Sequence, residues 1–333
     1  MGKRYLRTIV SDFQTLTASA DITPVDLPVN PLSHLLLTIE GTAAVQTTTA
    51  NYSLLADFLA GITDLSVRHR GENIIQGSLA DLMMMAAVLH GRMPFGTKLQ
   101  GDGGAIRTMT FVLPFGRKPF WGEEAFPATT RGQLRFHMTA GAVQTAFTAR
   151  RWALEAVELV EDNPSRYLKY TTLTRALTAT GRQRVPLPLG NQLLKILLFD
   201  PTTEVADAAD YAFQKVKILK DNVEQYYAES NWESLRADLA WAVPGIHGMQ
   251  GHTHFMTAAT LNQTAVADVA GTTEEEQYEK NQVPTQYGLL DFDPHSDGAY
   301  ALDTAGVSTL DIDLNSDVST GTVRFLPVEL IST

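Results

Sequence analysis

Gly132–Glu161 reads GQLRFHMTAGAVQTAFTARRWALEAVELVE, and a variant of it returns near the end of the chain as Val307–Ile331, VSTLDIDLNSDVSTGTVRFLPVELI. Each copy opens on a run alternating about Leu134, Phe136 and Met138, or about Leu310, Ile312 and Leu314. A small polar turn follows, then a second run that ends Val157-Glu158-Leu159-Val160 or Val328-Glu329-Leu330-Ile331. Period-two alternation is the pattern of a strand that buries one face. Each copy therefore predicts a hairpin closing a β-unit, with Leu134, Ile312 and Phe325 in the core. Two such hairpins predict two units of one design.

Working outward, the same order of segments precedes each copy. LSHLLLTIEG from Leu32 corresponds to NQLLKILLFDP from Asn191, so Leu35–Gly41 and Leu193–Asp200 should be equivalent strands. ITDLSVR from Ile62 corresponds to FQKVKIL from Phe213, pairing Ile62–Val67 with Phe213–Ile218. Ser78-Leu-Ala-Asp81 and Ser230-Asn-Trp-Glu233 both read as capping boxes, in which a hydroxyl and a carboxylate satisfy free amides at a helix start. Leu79, Leu82, Met83 and Ala86 follow the first at helical spacing, and Trp232, Leu235 and Leu239 share one face after the second. TMTFVLPFG and YGLLDFDP then answer each other. An internal repeat of this length indicates two copies of one structural unit. The fold class is all-β: two consecutive jelly-roll β-sandwiches with short helices in the connections. The divisions are an N-terminal arm over 1–30, a first jelly roll over 31–165, and a second over 166–333 with a long insertion at about 244–283.

Composition narrows the function. The 333 residues are 44% hydrophobic and 19% charged, enough to bury two cores and too few charges for a disordered chain. A formal charge of −11 disfavours a chain whose task is to grip phosphate backbones, so no sequence-specific nucleic-acid binding is expected. The absence of cysteine excludes disulfides, thiol nucleophiles and thiolate metal sites. No run reaches the roughly 20 apolar residues of a bilayer-spanning helix, and the start lacks the apolar core of a secretory signal. Three prolines in DITPVDLPVNP favour an extended arm there, with Lys3, Arg4 and Arg7 able to meet an acidic surface.

Catalytic templates are absent: there is no Gly-x-Ser-x-Gly elbow, Walker loop, HExxH or Rossmann fingerprint. Glu123 and Glu124 are adjacent and read as solvated loop acids, not a glycosidase pair. His247, His252 and His254 fall within eight residues and could bind a transition metal. A metal-dependent bicupin enzyme also uses His-x-His on a jelly roll, but needs a nearby Glu where Phe255–Ala259 stand here. Asp291, Asp293 and Asp297 have the alternating oxygens of a calcium loop, yet its twelfth position is Leu302 in place of Glu. No cofactor is expected, a structural calcium being the one exception entertained. Phe111, Phe115, Phe120 and Trp121 interleave with Arg117 and Lys118. We read Trp121, with Phe120, as an anchor in a loop that meets another subunit.

The duplicated strand order, the helix after the second recognisable strand of each unit and the insertion in the second unit resemble the double jelly-roll major capsid proteins of icosahedral viruses, the lineage of tectiviruses and adenovirus hexons. The resemblance spans the chain and rests on no diagnostic motif. It implies a structural virion protein, not an enzyme, made in the host cytoplasm and placed in the capsid. Its implied partners are two further copies in a pseudo-hexameric homotrimer, neighbouring trimers, penton or minor capsid proteins, and an internal membrane reached through Lys3, Arg4 and Arg7. The loops Gly91–Ile106, Arg117–Arg131 and Pro244–Val283 would reach neighbours. A receptor-binding or carbohydrate-binding spike is the other non-enzymatic alternative.

Overall fold

Apolar runs such as Leu35–Leu37 and Ile196–Leu198 are too continuous for a strand with a wet face, and both lie in the middle of a sheet. The computed structural model describes residues 4–44, 55–96, 104–201, 211–244 and 286–333. Over these the chain divides into a first unit running to Thr171, with Ser332–Thr333, and a second from Thr172 to Ile331.

The first unit contains β1 (Arg4–Thr15), β2 (Val25–Asp26), β3 (Leu32–Ala43), α1 (Leu55–Ala60), β4 (Ile62–His69), β5 (Glu72–Gly77), α2 (Leu79–His90), β6 (Phe95–Gly96), β7 (Ile106–Pro114), β8 (Leu134–Ala140), β9 (Phe147–Val160) and β10 (Arg166–Thr171). One sheet has the order β1-β9-β3-β7-β6 and the other β10-β5-β4-β8-β2. The second unit contains β11 (Leu173–Ala176), β12 (Gly181–Pro186), β13 (Gln192–Phe199), β14 (Phe213–Lys220), β15 (Val223–Glu224), β16 (Ser230–Asn231), α3 (Trp232–Ala242), β17 (Tyr287–Asp291), β18 (Leu302–Asp303), β19 (Leu310–Ser316) and β20 (Thr322–Ser332). Its sheets run β17-β13-β20, with β11 beside β20 and β18 beside β13, and β12-β19-β14-β15, with β16 beside β14.

The pairing schemes of the two units match. β3 sits between β9 and β7 as β13 sits between β20 and β17. β4 sits between β8 and β5 as β14 sits between β19 and β15. Leu35–Gly41 and Leu193–Phe199 thus hold equivalent positions, as do Ile62–Val67 and Phe213–Ile218. Leu134, Ile312 and Phe325 are all buried. In β4 the inward set changes phase from Ile62 to Leu65 and Val67, because a register shift between Ile62 and Asp64 inserts an extra residue.

The predicted closing hairpins are not hairpins. β8 pairs with β4 and β2, whereas β9 pairs with β3 and β1, so the two strands part into different sheets; β19 and β20 part in the same way. Alternation reports which face of a strand is buried, and strands of two facing sheets alternate alike.

Helix starts differ from expectation in one unit. Ser78 caps α2, its Oγ accepting the Asp81 N–H at 3.2 Å. In the second unit Ser230 is instead paired in β16 with Val216, and Asn231 is the N-cap, without a side-chain capping bond. α2 is buried over nearly its whole circumference, beyond the one face expected. α3 buries Trp232, Leu235 and Leu239, with the Trp232 ring edge-on to Phe213 at 4.8 Å. Gly288 of β17 admits that ring: a Cβ there would come within 2.6 Å of it.

Residues 4–15 are not an unpaired arm. They form β1, an edge strand antiparallel to β9, and the sequence conceals it because both of its faces are largely exposed and little alternation results. The prolines of DITPVDLPVNP instead confine strand structure nearby to β2, a two-residue edge piece.

Candidate assembly surface

The loop after β7 is built around an ion pair the sequence does not reveal. Arg117 folds back onto Glu124, its Nε donating to Oε2 at 2.9 Å and Oε1 at 3.1 Å, with a further bond from Nη2. The backbone N–H of Arg117 also donates to Glu124 at 3.3 Å, and Arg166 approaches the same carboxylate at 3.5 Å. Both side chains of the pair are almost fully buried, so Glu124 is not a solvated loop acid; Glu123 is. A buried carboxylate persists only when paired and hydrogen-bonded.

That clamp presents the two aromatics differently. Trp121 is half-buried, with the Arg117 guanidinium 5.8 Å and the Lys118 ammonium 5.2 Å from its ring, so much of its face is covered by its own chain. Phe120 is 50% exposed and held in the left-handed region at φ 61°, where a bulky residue is costly. Its N–H donates to Ser33 Oγ at 2.8 Å, and its ring meets Tyr5 of β1 at 5.0 Å and His34 edge-on at 5.3 Å. Phe111 and Phe115 are core residues. The better-presented aromatic is therefore Phe120, continued on β1 by Tyr5, with Ile9 on the same strand face; both are more than half exposed, as is Leu6 on the opposite face. Contiguous exposed apolar side chains mark surfaces that meet another molecule. The sequence pattern does not disclose Tyr5, because a strand exposed on both faces shows no alternation.

The cations expected on this arm are engaged. Arg4 pairs with Glu161 at 3.0 Å and Arg7 with Glu155, both carboxylates on or just after β9. Lys3 lies outside the described residues.

Beneath Phe120, Ser33 Oγ lies 3.0 Å from His34 Nδ1. The imidazole is lowered from 6.5 to about 4, mainly by burial, with His90 and Arg7 adding to the effect. Burial also lowers His90, against a hydrogen bond with Gly116 that raises it. A folded-state value below the unfolded one means the unfolded chain takes up the proton first, so stability is intact above pH 6.5 and is lost as pH falls toward 4. The loss should amount to about 3 kcal/mol from His34 alone. Urea denaturation across that range should show it, and His34→Gln should flatten the profile by a similar amount; an unchanged profile would place His34 in solvent.

In the second unit the three aspartates do not converge on one point. Asp291 sits opposite Lys195 in register and accepts both of its contacts at 2.6 Å. Asp293 is fully buried and accepts the N–H groups of Asp297 and Gly298 at 3.1 and 2.7 Å, while Asp297 accepts that of Ala299. Lys195, itself buried, supplies the positive charge, and Asp238 is raised by its own burial and then by the Asp291 carboxylate. Among the described residues no group of three such side chains is placed to hold a metal ion. His247, His252 and His254 lie outside the described residues, as does nearly all of 244–283. Trp241, 86% exposed on α3, is a second presented aromatic. Helical spacing alone could have found it, since it lies nine residues, or two and a half turns, after Trp232 on the opposite face.

No family model and no curated protein matches the sequence. Solved structures do match in shape. The STIV MCP superposes with a TM-score of 0.69 at 11% identity, covering 99% of this chain and 97% of its own. The major capsid protein P2 from Bacteriophage PM2 gives 0.59 at 11% identity, covering 99% and 98%. The Faustovirus major capsid protein gives 0.53 at 7% identity, covering 99% and 90%. At such identities shape alone is shared, and it establishes that this chain has the double jelly-roll fold found in viral major capsid proteins.

Proposed function

We propose that the chain is the major capsid protein of an icosahedral virus, built to bind copies of itself. The observation that carries this reading is the repeated pairing scheme: two jelly rolls of one plan in one chain, matching capsid proteins over nearly the full length of both partners. A trimer of such chains carries six similar units, so it fits a lattice position with six neighbours. Neighbouring trimers and minor or penton proteins would be the further partners, and the virion the location. Because Arg4 and Arg7 are paired with glutamates, the reading assigns β1 to contact between copies and assigns no membrane contact to these cations.

Sedimentation of the purified chain tests it. The parent should sediment as a trimer. Phe120→Ala should leave the circular dichroism unchanged and weaken the trimer about 30-fold, the cost of truncating a central aromatic at roughly 2 kcal/mol. Trp121→Ala should act in the same direction but less, since its ring is already partly covered. A parent that stays monomeric at every concentration would overturn the reading.

A further inference from the structure

A second surface of the first unit has different chemistry. β4 and β5 are joined by the two-residue turn Arg70-Gly71, with His69 opposite Glu72 and positive φ at both turn residues, 52° and 90°. That is a type I′ geometry, which matches the twist of the strands it joins. Arg68 lies opposite Arg135 in the β4–β8 register, a like-charge juxtaposition that ordinarily destabilises a sheet. Arg68, Arg70 and Arg135 line one cavity of about 390 Å³, together with His137, Gly71 and Gly132.

Among the described residues the charge there is not balanced. Arg135 pairs with Asp26 at 2.9 Å, and Arg70 reaches only the neutral Gln133 amide at 3.4 Å. Arg68 makes no ion pair among the described residues. His137 lines the same cavity beside Arg135 on β8. Three guanidinium groups against one carboxylate leave a cationic cavity on a chain of charge −11. An overall negative field repels anions, so such an island binds one only through local geometry. Guanidinium forks match tetrahedral oxyanions bidentately, and an imidazole nitrogen can complete the shell.

We infer that this cavity binds a phosphate-class oxyanion, either a free phosphate or pyrophosphate or the headgroup of an anionic lipid. The bound anion separates Arg68 from Arg135 electrically and lies over Gly71, where no side chain crowds it: a Cβ there would meet nothing within 4 Å, whereas one at Gly132 would stand 3.8 Å from Arg135 Nη2 and Asp26 Oδ2. The site lies wholly within the first unit and does not depend on trimer formation.

Isothermal titration of the full-length chain with inorganic phosphate and with pyrophosphate tests the inference, alongside co-sedimentation with phosphatidylcholine vesicles with and without phosphatidate. Saturable binding near one anion per chain is expected, weakened at least tenfold by Arg68→Gln and unchanged by Arg175→Gln on β11. Sedimentation with phosphatidate vesicles only, lost in the Arg68→Gln variant, would identify the headgroup as the source; binding of the soluble anions only, lost in the same variant, would identify the free anion. Circular dichroism should show both variants folded, since Arg68 is exposed and makes no ion pair among the described residues. No saturable binding by the parent to any probe, or equal binding by Arg68→Gln, would overturn the inference whether or not the chain forms trimers.

Discussion

Glu124→Gln should destabilise the first unit by about 3 to 5 kcal/mol, because it leaves the Arg117 guanidinium buried without its counter-charge. The effect is large for two reasons. Water cannot reach either side chain, and the same carboxylate also accepts the Arg117 backbone N–H, so one substitution weakens several charge-assisted bonds. Removing both charges with Arg117→Met and Glu124→Leu should recover much of the loss, as buried pairs often contribute little over apolar residues of similar volume. Urea denaturation of the single and double variants measures this. A single variant within 1 kcal/mol of the parent would mean that the loop opens to solvent. The clamp also sets the conformation of Phe120 and Trp121, so Glu124→Gln should weaken trimers even where the chain remains folded.

Phe325→Ala should cost the second unit a similar 3 to 5 kcal/mol. Its ring is 1% exposed and belongs to a cluster that includes Leu198, Ile312, Trp232 and Phe213. Its strand is central, with Phe325 opposite Leu198 on β13 and Leu173 on β11, so neighbours held on both sides cannot collapse into the void. Thermal and urea unfolding should both report the change, and a variant indistinguishable from the parent would place the ring on the wrong face of β20.

These two residues also divide what the sequence discloses from what it conceals. Phe325 was legible because it belongs to an alternating run, and alternation follows directly from burying one face of a strand. The duplication was legible for the same reason, since Leu193–Leu198 repeats the apolar density of Leu35–Leu37. Glu124 was not, because its burial depends on an arginine seven residues earlier meeting it across a loop. β8 and β9 looked like a hairpin because the sequence records facing and not sheet membership. β1 escaped notice because an edge strand exposed on both sides has no period to read. Phe120 was named as an interface residue beside Trp121, but only its left-handed backbone and the cations over Trp121 show which ring is presented.

Electron cryo-microscopy of the purified chain shows self-assembly without an intermediary. Particles of three copies with a pseudo-hexagonal outline are expected, six similar lobes about one axis, with Phe120 and β1 at the boundaries between copies. Monomers, or an elongated trimer whose outline cannot tile a surface, would contradict it.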